Sequence, residues 1–420
     1  ASSSVGAIRD CCCISSLSSL ISFLKRYQKL LLWGVVVSLV LIVGGIQTTR
    51  KRISIRHHSN ERQPSSDNDD GAPSSYDSSL VWTQMGQSID GAAEEDSLGR
   101  SVALSGDGTT VVIGAPYHNR LDDDQGQAMI HLVEETEEGQ SKNDTSHAAI
   151  HWVQIGDDLY GDAGYNQLGW SVALSADGAT VAVGAPSFWD QDQTGYVRVY
   201  KLDKEEGGSS SSVSASVSVI QTIRSEASSS DSYGWSVALN ADGTVLAVGA
   251  PWNSEHGKEA GQANVYRWND GASKYEPLGT SINGAVAQDK FGDSVALSGD
   301  GNVLAVGATQ LWSEPGYVNV YAWDETTSRH RPRGDPIVGE EAFDSSGYSI
   351  ALASDGTTLA VGSPYTNEDG LHSGFVSVYS WDGSSSSYHK LGNTIDGESA
   401  GDRSGRAVAL SRDGKTLAVG

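Results

Sequence analysis

The segment LGWSVALSADGATVAVGAP, at residues 168–186, contains the pattern that decides the fold. Two short apolar runs, Ser-Val-Ala-Leu and Thr-Val-Ala-Val-Gly, are separated by Ser-Ala-Asp-Gly-Ala. Apolar runs of this length bounded by turn residues are typical of β-strands, and Asp-Gly favours the positive φ angles of a tight hairpin. Bulky Val and Leu alternate with Ala, so both faces are apolar. That pattern predicts a strand packed between two neighbouring sheets.

The same pattern occurs six times, which makes the body of the chain a repeat protein. The other copies lie at residues 98–116, 233–251, 291–309, 346–364 and 404–420. Their turn aspartates are separated by 70, 65, 58, 55 and 58 residues and are Asp107, Asp177, Asp242, Asp300, Asp355 and Asp413.

Each unit continues with two further predicted strands. The third is rich in β-branched and aromatic residues and is predicted at Tyr196–Tyr200, Ala263–Trp268, Tyr317–Trp323 and Phe375–Trp381. The fourth ends in glycine and is predicted at Trp82–Gly86, Trp152–Gly156, Tyr275–Gly279 and Tyr388–Gly392. Four antiparallel strands per unit without helical periodicity predict an all-β fold, a β-propeller of four-stranded blades. A linear β-solenoid is the alternative, and it is disfavoured because its coils are shorter and more regular.

The propeller is expected to occupy residues 80–420, where six units are visible. The sequence opens with a copy of the fourth strand and reaches Gly420 after the second strand of the sixth unit. We therefore expect seven blades in the full protein and a propeller that is incomplete at its C-terminus in this chain.

The units resemble FG-GAP repeats, which form the propeller of integrin α subunits and occur in many membrane-anchored or secreted repeat proteins. Phe291-Gly292 and the Gly-Ala-Pro at 114–116, 184–186 and 249–251 carry this resemblance, which covers residues 80–420. It implies a seven-bladed propeller that acts as an adhesion or ligand-binding platform, usually without catalysis.

The calcium-binding pattern of that family does not carry over to this chain. The first hairpin retains one carboxylate, as in Ser105-Gly106-Asp107-Gly108, whereas calcium takes six to eight oxygen ligands. The repeated Asp-Gly is therefore interpreted as turn chemistry, and the sequence predicts no cofactor.

Charge and composition restrict the partners. The chain of 420 residues has a formal net charge of −25. The first 79 residues carry a net charge of +3, and residues 80–420 carry −28. Such a polyanion repels nucleic acid, so a nucleic-acid partner is excluded. The three cysteines are adjacent at Cys11, Cys12 and Cys13, so the body contains no disulfide.

The basic end surrounds an uncharged apolar run, Leu30–Ile46. Lysines and arginines flank it on both sides, so residues 30–49 are predicted to be a single transmembrane helix. A buried core helix and a cleaved signal peptide are the alternatives. Residues 1–29 form a tail with a candidate interfacial helix, and residues 50–79 a basic, then polar, disordered tether.

The side of the membrane on which the propeller lies is predicted from weaker signals. Three positive residues precede the apolar run and four follow it, so the positive-inside rule barely discriminates. The glycosylation pattern at Asn143 favours a propeller outside the cytoplasm, extracellular or lumenal. Cys11, Cys12 and Cys13 are either S-acylated or simple thiols in a flexible tail.

Variable loops after Gly-Ala-Pro provide candidate ligand residues. Acidic residues occur there at Asp122, Asp123, Asp124, Asp190 and Asp192, and are interpreted either as calcium ligands or as a solvated surface. Tryptophans occupy matching loops at Trp189, Trp252 and Trp312. They suit either stacking on a sugar or protein partner, or packing over the blade rim.

We therefore expect a membrane-tethered, non-catalytic propeller that binds a protein or glycan partner. A carbohydrate-active enzyme is the first alternative, because Asp293 replaces the Arg, Trp or Tyr found at its position in other units. A purely structural surface protein is the second alternative.

Overall fold

The described part of the chain is built from β-strands. The computed structural model describes residues 52–53, 56–58, 82–136, 149–188, 194–205, 214–226, 231–310, 314–365 and 372–420. All of its strands belong to the compact unit formed by residues 49–420. In chain order they are β1 (Arg52–Ile53), β2 (Arg56–His58), β3 (Trp82–Gln84), β4 (Ile89–Asp90), β5 (Ser101–Leu104), β6 (Thr110–Ala115), β7 (Gln127–Thr136), β8 (Ala149–Gln154), β9 (Leu159–Tyr160), β10 (Ser171–Leu174), β11 (Thr180–Ala185), β12 (Tyr196–Glu205), β13 (Ser214–Arg224), β14 (Ser236–Leu239), β15 (Val245–Ala250), β16 (Gln262–Asn269), β17 (Lys274–Pro277), β18 (Ile282–Asn283), β19 (Phe291–Leu297), β20 (Val303–Ala308), β21 (Tyr317–Asp324), β22 (Arg329–Pro332), β23 (Ile337–Val338), β24 (Ser349–Leu352), β25 (Thr358–Ser363), β26 (Phe375–Asp382), β27 (Ser387–Lys390), β28 (Ile395–Asp396), β29 (Val408–Leu410) and β30 (Leu417–Val419).

Five antiparallel sheets, which we call blades 1 to 5, share one strand order. Four strands pair in chain order in each: β5–β8, β10–β13, β14–β17, β19–β22 and β24–β27. In blades 1, 3, 4 and 5 a two-residue strand also pairs with the beginning of the third strand. The sixth unit contributes the hairpin β29–β30. The predicted four-stranded antiparallel units are thus confirmed.

The blades stand around a shared axis rather than in a line. The first strand of each unit contacts the first strand of the next, from β5 to β29. A serine hydroxyl at the start of that strand donates to a glycine carbonyl of the following unit, at 2.6–2.8 Å, in the pairs Ser101–Gly169, Ser171–Gly234, Ser236–Gly292, Ser294–Gly347 and Ser349–Gly405. The first strands of blades 1 to 5, together with Arg406 of the sixth unit, border one cavity. The arrangement is propeller-like.

Close approach between blades explains two glycines of the repeat. A Cβ atom placed on Gly249, in the Gly-Ala-Pro of blade 3, would overlap the carbonyl oxygen of Gly292 in blade 4 and the hydroxyl of Ser236. The backbones of adjacent blades therefore touch at this point. Gly292 itself has a φ of 91°, a conformation that favours glycine.

The core consists of layers between successive blades. In β11, Val181 and Val183 pack into the layer shared with blade 1, while Ala182 packs into the layer shared with blade 3. All six residues of β11 are buried. The strand therefore presents bulky residues to one neighbouring sheet and a small residue to the other, which confirms its predicted position between two sheets.

The Asp-Gly turn differs from the predicted tight hairpin, which needs positive φ at both central residues. In blade 1 only Gly108 has positive φ, 75°, and the turn spans the six residues between Leu104 and Val111. The Asp107 carboxylate accepts hydrogen bonds from the Ser105 hydroxyl at 2.6 Å and the Thr109 amide at 2.9 Å. The side chain of Asp107 thus closes a longer loop.

The strands before blade 1 add detail to the region preceding the repeats. β3 pairs with β2, and β4 pairs with β1. The segment 50–79, predicted to be a tether, therefore contains two short strands, and its other residues lie outside the description. A total of seven blades remains a prediction.

Candidate functional site

One end of the axis contains a cavity of about 280 Å3, which we call the axial cavity. It lies where the first strands begin. Three consecutive residues from each of blades 1 to 5 line it, together with Arg406 of the sixth unit. Because every unit contributes the same three positions, the chemistry of the cavity depends on which side chains occupy them.

The first of these positions differs between the units, although its neighbours are repeated. It follows a glycine in all six units and precedes a serine in five of them, Ala407 replacing the serine in the sixth. We call these six residues the ring: Arg100, Trp170, Trp235, Asp293, Tyr348 and Arg406. The fold thus keeps the scaffold of the cavity constant and changes its lining.

Aromatic side chains form a continuous belt along one side of the ring. The ring centroids of Trp170 and Trp235 are 4.5 Å apart. Phe188 lies 5.5 Å from Trp235 and 5.0 Å from Trp252, and Tyr117 lies edge-on to Trp170 at 6.2 Å. Because aromatic pairs of this kind hold one another in place, the belt is pre-positioned. Within it Trp170 is buried, whereas Trp235 is half-buried.

Two arginines make the ring cationic. The Arg100 guanidinium lies 4.4 Å from the centroid of Trp170, in a cation–π contact. Arg100 and Arg406 are exposed, and within the described ranges no carboxylate lies within ion-pairing distance of either. They are therefore available to an anionic ligand.

Asp293 is the acidic member of the ring. Burial raises the pKa of its carboxyl to about 6, an effect that Thr309, Lys290, Trp235 and Arg100 partly oppose. Asp293 is also within electrostatic range of Tyr348. A carboxyl group with this pKa changes charge just below neutral pH.

We expect Asp293→Asn to flatten the dependence of stability on pH. The folded pKa of Asp293 is raised from 3.8 to about 6. In that window the folded state therefore holds a proton that the unfolded state releases, and stability falls as pH rises. From pH 4.5 to pH 7.5 the wild type should lose about 2 kcal/mol of unfolding free energy relative to the variant. Urea unfolding at pH 4.5 and 7.5 measures this, and parallel pH curves would contradict it.

Trp252, one of the predicted loop residues, is held from two sides. The Lys290 ammonium lies 2.8 Å from its ring centroid and 2.6 Å from a carboxylate oxygen of Glu259. Burial lowers the pKa of Lys290 to about 8. Phe188 covers Trp252 from another side. Trp252 joins the aromatic belt through Phe188.

The acidic loop of blade 1 is turned towards solvent. Asp122 and Asp123 are exposed, while Asp124 is half-buried. Burial, followed by the charge of Asp123 and of Glu95, raises the pKa of Asp124. In the described portion of the chain, no group of three His, Cys, Asp or Glu side chains is placed to hold a metal ion.

Several predicted residues lie outside the described residues: Cys11, Cys12, Cys13, Leu30–Ile46, Asn143, Trp189, Asp190, Asp192 and Trp312. Within the part that is described, no helix has the length and apolar character needed to cross a bilayer.

One recurring side chain was not identified from the sequence. Three positions before the glycine that precedes each ring residue, every unit has an acid or its amide: Asp96, Asn166, Asp231, Asp289, Asp344 and Asp402. The next residue is left-handed, with φ of 51–57° in every unit. At Asp289, the carboxylate accepts hydrogen bonds from the amides of Ala285 and Val286, at 2.7 and 2.8 Å. The recurring acid or amide therefore holds in place the loop that leads into each ring residue.

The opposite end of the axis has a different lining. Asp107, Asp177, Asp242 and Arg412 border an opening there of about 500 Å3. Backbone hydrogen bonds of 2.7–3.0 Å run from each unit to the next at this level and join Gly106, Ala176, Ala241, Gly299, Ser354 and Arg412. The Asp107 carboxylate already accepts two hydrogen bonds within its own turn. We therefore interpret the aspartates at this end as residues that stabilise the turns.

These features define a repeat protein whose β-blades surround an axial cavity with a variable lining. A family model described as FG-GAP repeat matches residues 88–130 and 222–266. The chain therefore carries FG-GAP repeats, as the sequence resemblance implied. A search of curated proteins gave no match.

Solved structures resemble this chain at low sequence identity. A candidate 6-phosphogluconolactonase from Bacteroides uniformis is 12% identical, with 81% of this chain and 84% of that one covered and a TM-score of 0.50. The periplasmic gluconolactonase PpgL of Pseudomonas aeruginosa is 15% identical, with coverages of 81% and 84% and a TM-score of 0.48. At such identities the likeness concerns the fold and not the activity.

Proposed function

We propose that this protein is a non-catalytic recognition propeller that binds a protein or glycan partner through the axial cavity. In this proposal, the apolar run Leu30–Ile46 anchors the chain in a membrane and the propeller lies outside the cytoplasm. The observation that carries it is the ring, in which one position varies between otherwise repeated strands and faces a common cavity. Repeated scaffold positions hold the fold, while the varied position can select a partner.

The test is ligand capture by the full chain on glycan and protein arrays. Trp235→Ala should weaken capture of any ligand found by about 30-fold or more, as expected for a central aromatic hot spot. The matched control is Trp381→Ala. Trp381 is also a half-buried indole, but it packs on Tyr388 at the outer side of blade 5. Equal loss in both variants, or arrays without a ligand, would contradict the proposal and favour a purely structural protein.

A carbohydrate-active enzyme is the second candidate, and Asp293 is the observation in its favour. Its raised pKa suits a general acid. Glycoside hydrolysis commonly uses two carboxyl groups, about 5–9.5 Å apart. Among the residues described as lining the axial cavity, Asp293 is the sole carboxyl group. Glycan hydrolysis that disappears in Asp293→Asn would establish the enzyme and overturn the binding function.

A further inference from the structure

We infer that the axial cavity binds a sugar residue carrying a carboxylate, such as a uronic acid at the end of a glycan. The inference rests on the proposed recognition function and names the class of ligand. It is drawn from three properties of the ring: its charge, its aromatic faces and its size.

The charge of the ring favours an anion. Arg100 and Arg406 contribute two positive charges, and Asp293 contributes at most one negative charge. The body carries a net charge of −28, so the ring has the opposite sign to the body as a whole. A guanidinium group binds a carboxylate through two parallel hydrogen bonds. A cationic ligand would meet two arginines and a single carboxyl group, which is unfavourable.

The arginines and the acid belong to one site. Tyr348 is within electrostatic range of Arg100, Arg406 and Asp293, and Arg100 also acts on Asp293. These residues come from blades 1, 4 and 5 and from the sixth unit. One ligand in the cavity can therefore interact with all of them.

The aromatic members of the ring favour a sugar over a simple acid. Trp170, Trp235 and Tyr348 line the cavity. Trp170 is 9% exposed, so the half-buried Trp235 and Tyr348 provide most of the accessible aromatic surface. Their amphipathic side chains suit a molecule with an apolar face and polar edges. A pyranose has such a face of C–H groups and a perimeter of hydroxyls. The Asp293 carboxyl is suited to hydrogen bonding with those hydroxyls.

The size of the cavity restricts the ligand to about one ring. Its volume of about 280 Å3 is near the lower end of small-molecule sites, which measure about 300–1,000 Å3. A terminal monosaccharide unit matches this volume, and the rest of a glycan would extend into solvent.

Calorimetric titration of the full chain in detergent, with methyl β-glucuronide, methyl β-glucoside and acetate, tests the inference. We expect the glucuronide to bind at least about 10-fold more tightly than either of the other two probes. Arg100→Gln and Arg406→Gln should each weaken glucuronide binding by about 10-fold or more, as for the loss of a charged hydrogen bond. Arg412→Gln is the control, because Arg412 lines the opposite opening, and it should bind as the wild type does.

A further variant guards against misfolding. Arg100→Lys keeps the positive charge and the fold but cannot form the two parallel hydrogen bonds of a guanidinium group. A glucuronide affinity between those of the wild type and Arg100→Gln therefore supports the inference. Equal binding of glucuronide and glucoside would overturn it, as would tighter binding of a glutamate-rich peptide. If a ligand of other chemistry binds and is lost in Trp235→Ala, the recognition function stands and the carboxylated sugar is excluded. If arrays return no ligand, the recognition function itself fails.

Discussion

Gly249→Ala is expected to lower the free energy of unfolding by about 3–5 kcal/mol. The added methyl group would overlap the Gly292 carbonyl oxygen and the Ser236 hydroxyl, and would lie 2.9 Å from the Gly292 carbonyl carbon. Two of these atoms are backbone of the next blade and cannot move alone. Blades 3 and 4 must separate, which breaks the hydrogen bond from Ser236 to Gly292, 2.8 Å long in the wild type. Urea unfolding followed by tryptophan fluorescence measures the change.

The matched control is Gly383→Ala. Gly383 lies in the turn between β26 and β27, and an added Cβ would meet only the Trp381 indole nitrogen, at 3.8 Å. We expect a change within about 0.5 kcal/mol. Equal effects at Gly249 and Gly383 would show that contact between blades does not depend on glycine.

Asp289→Ala is expected to cost about 3–4 kcal/mol, because four hydrogen-bond donors lose their buried acceptor. Besides the amides of Ala285 and Val286, the carboxylate accepts the Gln310 side-chain amide at 2.6 Å and the Tyr317 hydroxyl at 3.0 Å. Asp289 is 1% exposed, so its carboxylate is shielded from water in the wild type. Since the loop that it closes leads into Asp293, the variant should also weaken ligand binding.

The equivalent residue of the sixth unit provides the control for Asp289. Asp402 has the same position in the repeat and accepts the Ser399 amide at 2.7 Å, but it is exposed. Asp402→Ala should therefore cost less than about 1 kcal/mol, which urea unfolding of both variants measures. Losses of the same size would mean that the buried network around Asp289 is not the cause.

The sequence allowed the blades to be predicted because their signals are local. Alternation of valine and alanine predicted that β11 lies between two sheets, and Val181 and Ala182 do pack into different layers. The Asp-Gly pairs were correctly placed at turns, but the side-chain hydrogen bonds of Asp107 lengthen the loop beyond the predicted hairpin. Turn length depends on such side-chain bonds, which a dipeptide pattern does not reveal.

The candidate site was harder to predict because it is assembled from six segments that are far apart in the sequence. Asp293 was singled out as an irregular residue, but its neighbours Arg100 and Arg406 lie 193 and 113 positions away in the sequence. Their proximity follows only from closure of the blades around the axis. The sequence does mark the site, because the ring position is the one that varies between a repeated glycine and a repeated serine. The buried acid at Asp289 was missed because its role depends on the left-handed residue that follows it.

The serine-to-glycine hydrogen bonds between blades have an evolutionary consequence. Each of the first five units brings the same donor for its successor, and units two to six bring the same acceptor for their predecessor. Duplication or exchange of whole units would therefore preserve these joints while permuting Arg, Trp, Asp and Tyr around the axis. Such a protein can acquire a new specificity by genetic recombination between its own repeats, without first evolving a new scaffold.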